Sequence, residues 1–276
     1  MSPLIEPGYL FSQHSLNTFS RCRRRFLLKY VDRQPWPMPE EEDPLEYAEH
    51  LARGRVFHQW LARDHLGLPV DAIAAACDDA LLQRWWAAYQ VFDHEQLPSG
   101  WQQAELPVVV PLGAHRLYAR YDLLALDMDG EAVIVDWKTL ETVPSRRILE
   151  TRVQTRVYLY TLVAAGQVLT GGPPVEPDRA AMLYWFANYP DESVMIPYSR
   201  RAHQQAARDL RRLIDEITTL GREAFHRTDD VRQCIRCNYR SLCGREQLEA
   251  TSSPESWLDE DIDFDLEIEE APELEY

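Results

Sequence analysis

The stretch Val133-Ile134-Val135-Asp136-Trp137-Lys138 decides the fold. Three β-branched residues in a row favour a strand. Positions two apart on a strand share a face, so Asp136 and Lys138 project together at its end. Arg116 to Leu126 reads as the preceding strand and carries Asp122 after Tyr121. The turn signal Asp127–Gly130 makes the two strands antiparallel neighbours, which can bring Asp122 alongside. Two carboxylates with a lysine suit a hard cation: oxygen ligands hold Mg²⁺ or Mn²⁺. The lysine can orient or deprotonate a water, or neutralise a developing phosphorane. An isolated D-x-K is most often a solvated strand end. Here the lysine is one of two in the chain, Lys29 and Lys138, and it follows an apolar run.

Outward from this stretch the pattern alternates between helix and strand. Gln102 to Val110 reads as a further strand, and Ala132 to Trp137 as the one that ends in the D-x-K. Upstream, Ser15 is a plausible cap for a short helix carrying Leu16 and Phe19. Four prolines at residues 35–44 predict an irregular loop. Helices are expected over 45–65 and 71–92, the second containing Cys77 as a small core residue. Downstream, 146–165 reads as a helix, 180–187 and 193–197 as strands, and 199–226 as an Arg-rich helix. Helices, a three-strand meander, a helix and more strand make a mixed α/β domain over residues 1–250.

The 276 residues suffice for a complete core, and 45% hydrophobic with 27% charged residues is ordinary for a globular protein. The net charge of −16 is concentrated: Glu255–Tyr276 holds 11 acids and no Lys or Arg. Without that segment, 29 bases face 34 acids. A uniformly acidic segment favours disorder, so residues 251–276 read as an acidic, disordered tail, able to dock a protein partner. The mild charge of the body excludes indiscriminate nucleic-acid coating but allows a local basic channel. Nothing approaches a transmembrane run, and Met1–Phe11 lacks a secretory pattern, so a cytoplasmic protein is expected.

Five cysteines are present: Cys22, Cys77, Cys234, Cys237 and Cys243. In a cytosolic chain, clustered cysteines are metal ligands or buried thiols more often than disulfides. Four thiolates can bind a 4Fe–4S cluster or Zn²⁺, and Cys-x-x-Cys alone favours neither. His58 alone reads as a packed or solvated histidine, although imidazole suits Mn²⁺. Gln154 and Tyr158 are four apart and share one helical face.

The order of these parts carries more than any one of them. It runs Cys22, Gly54…His58, Asp122, Asp136-x-Lys138, Gln154-x-x-x-Tyr158, then Cys234-x-x-Cys237-x5-Cys243. This order resembles the RecB-like exonuclease branch of the PD-(D/E)XK nuclease superfamily, with a four-cysteine iron–sulfur cluster. That branch includes AddB-type nuclease domains and CRISPR-adaptation exonucleases. The resemblance covers about Ser12 to Arg245.

The resemblance implies a restriction-endonuclease-like core, a central mixed sheet flanked by helices. It also implies an iron–sulfur subdomain joining the N- and C-terminal segments through Cys22, Cys234, Cys237 and Cys243, with Zn²⁺ as the alternative. It makes His58, Asp122, Asp136 and the Trp137 carbonyl metal ligands and Lys138 the catalytic lysine. Gln154 and Tyr158 resemble the accessory motif that positions DNA. Arg23, Arg24 and Arg25 become candidate DNA contacts, and Arg23 stands where a proline often follows the first cysteine. The family often carries an acid on the strand that holds Glu105. The implied activity is Mg²⁺- or Mn²⁺-dependent hydrolysis of phosphodiester bonds at DNA ends or single strands, in repair, recombination or CRISPR-related processing. The alternative is a catalytically silent DNA-binding or scaffold protein acting through a partner helicase or nuclease.

Overall fold

The computed structural model describes residues 3–35, 45–171, 174–235, 237–245 and 247. The acidic tail and most of the proline-rich loop lie outside these residues.

The chain opens with a short strand β1 (Leu10–Ser12) that runs straight into helix α1 (Gln13–Arg21). Ser12, not Ser15, is the cap. Its hydroxyl accepts from Ser15 N, and the Ser15 hydroxyl accepts from Ser12 N, a reciprocal pairing that satisfies donors at the helix start. A four-residue turn of helix, α2 (Arg23–Phe26), follows Cys22. Helix α3 (Leu45–His65) matches its expected span.

The expected helix over 71–92 is two: α4 (Asp71–Ala75) and α5 (Ala80–Gln90). Asp79 interrupts it, taking Leu81 N and Leu82 N on its carboxylate and capping α5. Cys77 therefore lies in the connecting turn, half-buried, and not inside a helix.

Strands β2 (Trp101–Leu112), β3 (His115–Leu126) and β4 (Ala132–Lys138) form the meander. The helix expected over 146–165 is divided at Arg152, whose extended ψ of 144° separates α6 (Arg146–Thr151) from α7 (Val153–Thr170). Gly171, at φ 62°, ends α7 in the left-handed conformation that suits glycine. Strands β5 (Ala180–Phe186) and β6 (Val194–Pro197) precede helix α8 (Arg200–Thr219), which stops short of the predicted 226.

Among the described residues the sheet has six strands. β3 is its hub. It pairs antiparallel with β2 along its whole length. Its other edge is shared: β1 pairs parallel with Arg116–Tyr118, and β4 pairs antiparallel with Leu123–Leu126. Ala119–Asp122 lie between those two partners. Beyond β4 come β5, parallel to it, and antiparallel β6. The result is a mixed α/β fold with a mixed sheet flanked by helices, consistent with a restriction-endonuclease-like core.

Helices cover both faces. On one, α1, α7 and α8 bury Leu16, Val157 and Leu210 against Leu117, Ile134 and Tyr184. On the other, α3 and α5 bury Phe57, Trp85 and Tyr89 against Val135, Trp137 and Trp185. β4 and β5 supply alternate residues to both clusters, which is why their sequences read as continuous apolar runs.

Candidate active site

The site forms where β4 leaves β3. Their ladder ends at Leu123–Val135, although β4 continues beside β5 to Lys138. In place of the next rung, Asp122 Oδ2 accepts the Trp137 N–H at 2.8 Å. The strands fork at the point where both carry an aspartate.

The apolar pattern of β3 also shifts there. Leu117, Ala119 and Tyr121 face the α7 side, but so do Leu124 and Leu126, so strict alternation slips at Asp122. On β2 the slip comes at Glu105, in the rung the ladder skips between Ala104–Leu123 and Leu106–Tyr121, which is the rung of Asp122 on β3. Glu105 has φ 52°, a left-handed conformation that is strained for a residue with a Cβ.

One group of ligand atoms converges here. His58, on α3, Glu105 and Asp122 each offer an atom, and these lie within 4.8 Å of one another. His58 Nδ1 is 3.5 Å from Asp122 Oδ1, and Glu105 Oε2 is 2.9 Å from Arg120 Nε. Burial pushes the His58 imidazole down, but Asp122, through its charge and hydrogen bond, together with the charges of Glu105 and Asp136, makes the net shift upward. Burial pushes Asp122 up, and His58, Lys138 and the Trp137 N–H bring it below its ordinary value. Glu105 is raised by burial and by Asp122, against Arg120 and His58.

Asp136 and Lys138 do project together, on the α7 side. Lys138 Nζ is 2.9 Å from Asp136 Oδ2, and Gln154 Nε2 donates to Asp136 Oδ1 at 2.7 Å. Gln154 sits at the second position of α7, so the break at Arg152 is what aims it at Asp136. Its Oε1 is buried without a hydrogen-bond partner, an acceptor suited to a water beside a cation. Tyr158, one turn on, takes Gln13 Nε2 on its hydroxyl at 3.3 Å and leaves its carbonyl to Tyr121 OH. Gln13, at the first turn of α1, was not singled out from the sequence.

The structure thus groups the expected residues in two sets. His58 and Asp122 come with Glu105; Asp136, Lys138 and Gln154 come together; the Trp137 backbone joins the sets through Asp122. Imidazole with carboxylates is a donor set that fits Mg²⁺ or Mn²⁺. Glu105 could have been found by counting. The two-residue turn after Leu112 fixes the β2–β3 register, and Glu105 and Asp122 are equally far from it.

The other predicted residues lie elsewhere. The Arg23 guanidinium pairs with Glu216 of α8, and Arg24 N donates to His226 O at 3.0 Å. Arg25 lines a cavity with Arg227, Arg240 and Arg245 and all of Cys22, Cys234, Cys237 and Cys243. These arginines are not part of the carboxylate group. Arg245 Nη1 donates to Cys234 Sγ at 2.8 Å. Burial pushes the Cys237 and Cys243 thiols up.

The expected cysteine cluster needs correction on one point. Among the described residues, no three cysteine sulfurs come within 4.8 Å of one another. A tetrahedral zinc at about 2.3 Å from each sulfur needs them about 3.8 Å apart. The four cysteines share a cavity without closing on a single ion.

The model of the PD-(D/E)XK nuclease superfamily matches residues 10–244. The chain belongs to the PD-(D/E)XK nuclease superfamily. Enzymes of this superfamily use divalent metals, which agrees with the donor set at the fork. Among solved structures, SSO0001 aligns over 87% of each chain at 13% identity and a TM-score of 0.40. A crystal structure from Eubacterium rectale, described as a candidate exonuclease, aligns over 91% of this chain and 92% of its own. Identity there is 10% and the TM-score 0.50, so the likeness is one of fold. Among curated proteins, none gives a significant sequence match.

Proposed function

We propose that the protein is a divalent-metal-dependent deoxyribonuclease that removes nucleotides from DNA ends or single strands. The observation that carries this reading is the fork. A superfamily nuclease fold brings His58, Glu105 and Asp122 together on one side and the Asp136–Lys138 pair on the other.

His58, Asp122, Asp136 and the Trp137 carbonyl would hold the cation, as the family resemblance assigns them. The cation supplies Lewis acidity and an acidified water when bound. Lys138, charged and held by Asp136, places its ammonium where an attacking water is oriented or a developing phosphorane is neutralised. Gln154 anchors Asp136 through Nε2 and keeps Oε1 free for a water. The complete set of acids, histidine and lysine supports a catalytic protein over a silent scaffold.

The same reading gives the cysteine cavity a 4Fe–4S cluster. Four thiols lined by four arginines suit an anionic cluster, which the family resemblance expects at these cysteines. Its role is structural, fastening residues around Cys22 to those around Cys234–Cys243. A cytoplasmic nuclease in repair, recombination or CRISPR-related processing, working with a helicase, completes the proposal.

The test is digestion of end-labelled single- and double-stranded DNA with Mg²⁺ or Mn²⁺, against EDTA. Metal-dependent release of nucleotides from the ends is expected. No release from either substrate with either metal overturns the reading.

A further inference from the structure

The four residues from Lys138 to Glu141 all have their carbonyl oxygens taken by Ala187, Asn188 and Tyr189. Lys138 O accepts from Ala187 N at 2.8 Å. Thr139 O and Leu140 O accept from Asn188 Nδ2 at 3.2 and 2.9 Å. Glu141 O accepts from the Tyr189 hydroxyl at 2.5 Å. The β4–β5 ladder itself ends at Lys138–Phe186. Asn188 takes over where the sheet's own hydrogen bonds stop.

The other side of the same amide is also full. Asn188 Oδ1 accepts from Trp85 Nε1 at 2.8 Å and from Arg84 Nη2 at 2.5 Å, both on α5. Two donors and two acceptors saturate an asparagine side chain. Its orientation is also fixed, since only nitrogen can face two carbonyls and only oxygen can face two donors. Thr139 and Leu140 are each 5% exposed, so water cannot readily replace Nδ2 on their carbonyls.

We propose that Asn188 is a positioning residue for Lys138. It ties the backbone just beyond the lysine to α5, a helix on the opposite face of the sheet from Gln154. That bond fixes the direction in which β4 ends, and so the aim of the Lys138 ammonium and of the Trp137 carbonyl. Asn188 acts only through backbone. The proposal rests on the nuclease reading of the site.

Asn188→Asp separates positioning from packing. A carboxylate keeps an acceptor for Trp85 and Arg84 but turns a second oxygen on the Thr139 and Leu140 carbonyls. With the full chain and saturating Mg²⁺, kcat should fall at least about tenfold. KM and the DNA Kd should stay within about twofold, because no DNA-contacting group changes. Trp85→Phe removes one of the two α5 donors on Oδ1 and leaves Nδ2 on the carbonyls, so it should lower the melting temperature and reduce kcat less than Asn188→Asp does. Wild-type kcat in Asn188→Asp overturns the proposal, as does a kcat loss in Trp85→Phe of the same size. Should Asn188→Asp fail to fold, Asn188→Ala removes the amide without placing an oxygen against the Thr139 and Leu140 carbonyls. A fall in kcat of about threefold at constant KM supports the proposal, and an unchanged kcat overturns it. Lys138→Met is the control on the reading beneath. Full turnover there defeats the nuclease assignment itself, whereas a dead Lys138→Met beside a fully active Asn188→Asp defeats only the role of Asn188.

Discussion

Lys138 is 9% exposed and Asp136 2%, so the D-x-K pair is a buried ion pair with a hydrogen-bonded neighbour in Gln154. Removing one partner of a buried pair strands the other's charge, at a cost of about 3 kcal/mol. Lys138→Met should therefore abolish nucleotide release, by about a hundredfold or more, and also lower the melting temperature. Adding Asp136→Asn should restore most of the stability and none of the activity. Melting curves beside digestion rates check both halves, and a stable, active single variant would refute them. The shared face of Asp136 and Lys138 was legible because strand periodicity fixes it, whereas only the Asp127–Gly130 turn pointed to Asp122, since alternation slips at that residue. Glu105 stayed open because its place depends on the β2–β3 register, and the turn signal Pro111–Gly113 does not by itself say which residues close the turn. Gln13 was hidden for a different reason. A buried glutamine at a helix start has no sequence signature, and its partner Tyr158 is far along the chain.

At the scale of elements, the sequence misjudged continuity more than type. The 71–92 and 146–165 spans are helical, but each is broken by side chains that take over backbone partners. At the second break, Thr155 Oγ1 donates to Leu149 O at 2.5 Å. Periodicity does not register such local competition. At the first break, Asp79 accepts two α5 amides and also pairs with Arg53 of α3 at 2.6 Å. Asp79→Ala should cost about 1–2 kcal/mol, seen as a lower melting temperature with DNA cleavage unchanged. A melting temperature equal to wild type would count against the cap.

The strand β1 was missed because three residues are too few to show a period. The cysteine-bearing segments make a sharper contrast. Cys77→Ser, in a half-buried turn, should be nearly silent. Cys237→Ser should lower stability, because the proposed cluster would lose one of the four ligands by which it joins distant segments. Metal analysis of an anaerobic preparation should find iron, and stoichiometric zinc without iron would reject the cluster.

For the molecule as a whole, the histidines set the acid limb of stability. Burial holds His50, His65 and His203 below their ordinary values. A depressed histidine contributes stability above its unfolded value of about 6.5, and that contribution is lost as pH falls toward the folded value. His58 works the other way. Its value is raised, so its contribution is present below about 6.5 and lost as pH rises through the folded value. With the opposing group removed in His58→Gln, the other three predict a lower melting temperature at pH 6.0 than at pH 7.5, in EDTA (about the range in which histidines titrate). A flat or rising trend would contradict it.

The cavity shared by Cys22 and Cys234–Cys243 has a consequence for synthesis. Its first wall is made early and its others more than two hundred residues later, after β5, β6 and α8. Every strand that carries a candidate site residue leaves the ribosome before the cysteine-lined cavity can close. If the cluster is needed for a stable body, the nascent chain holds its cutting residues in an unfinished frame. Cleavage of DNA then waits on the last cysteine, and any shortage of metal for that step leaves a complete polypeptide without a working nuclease.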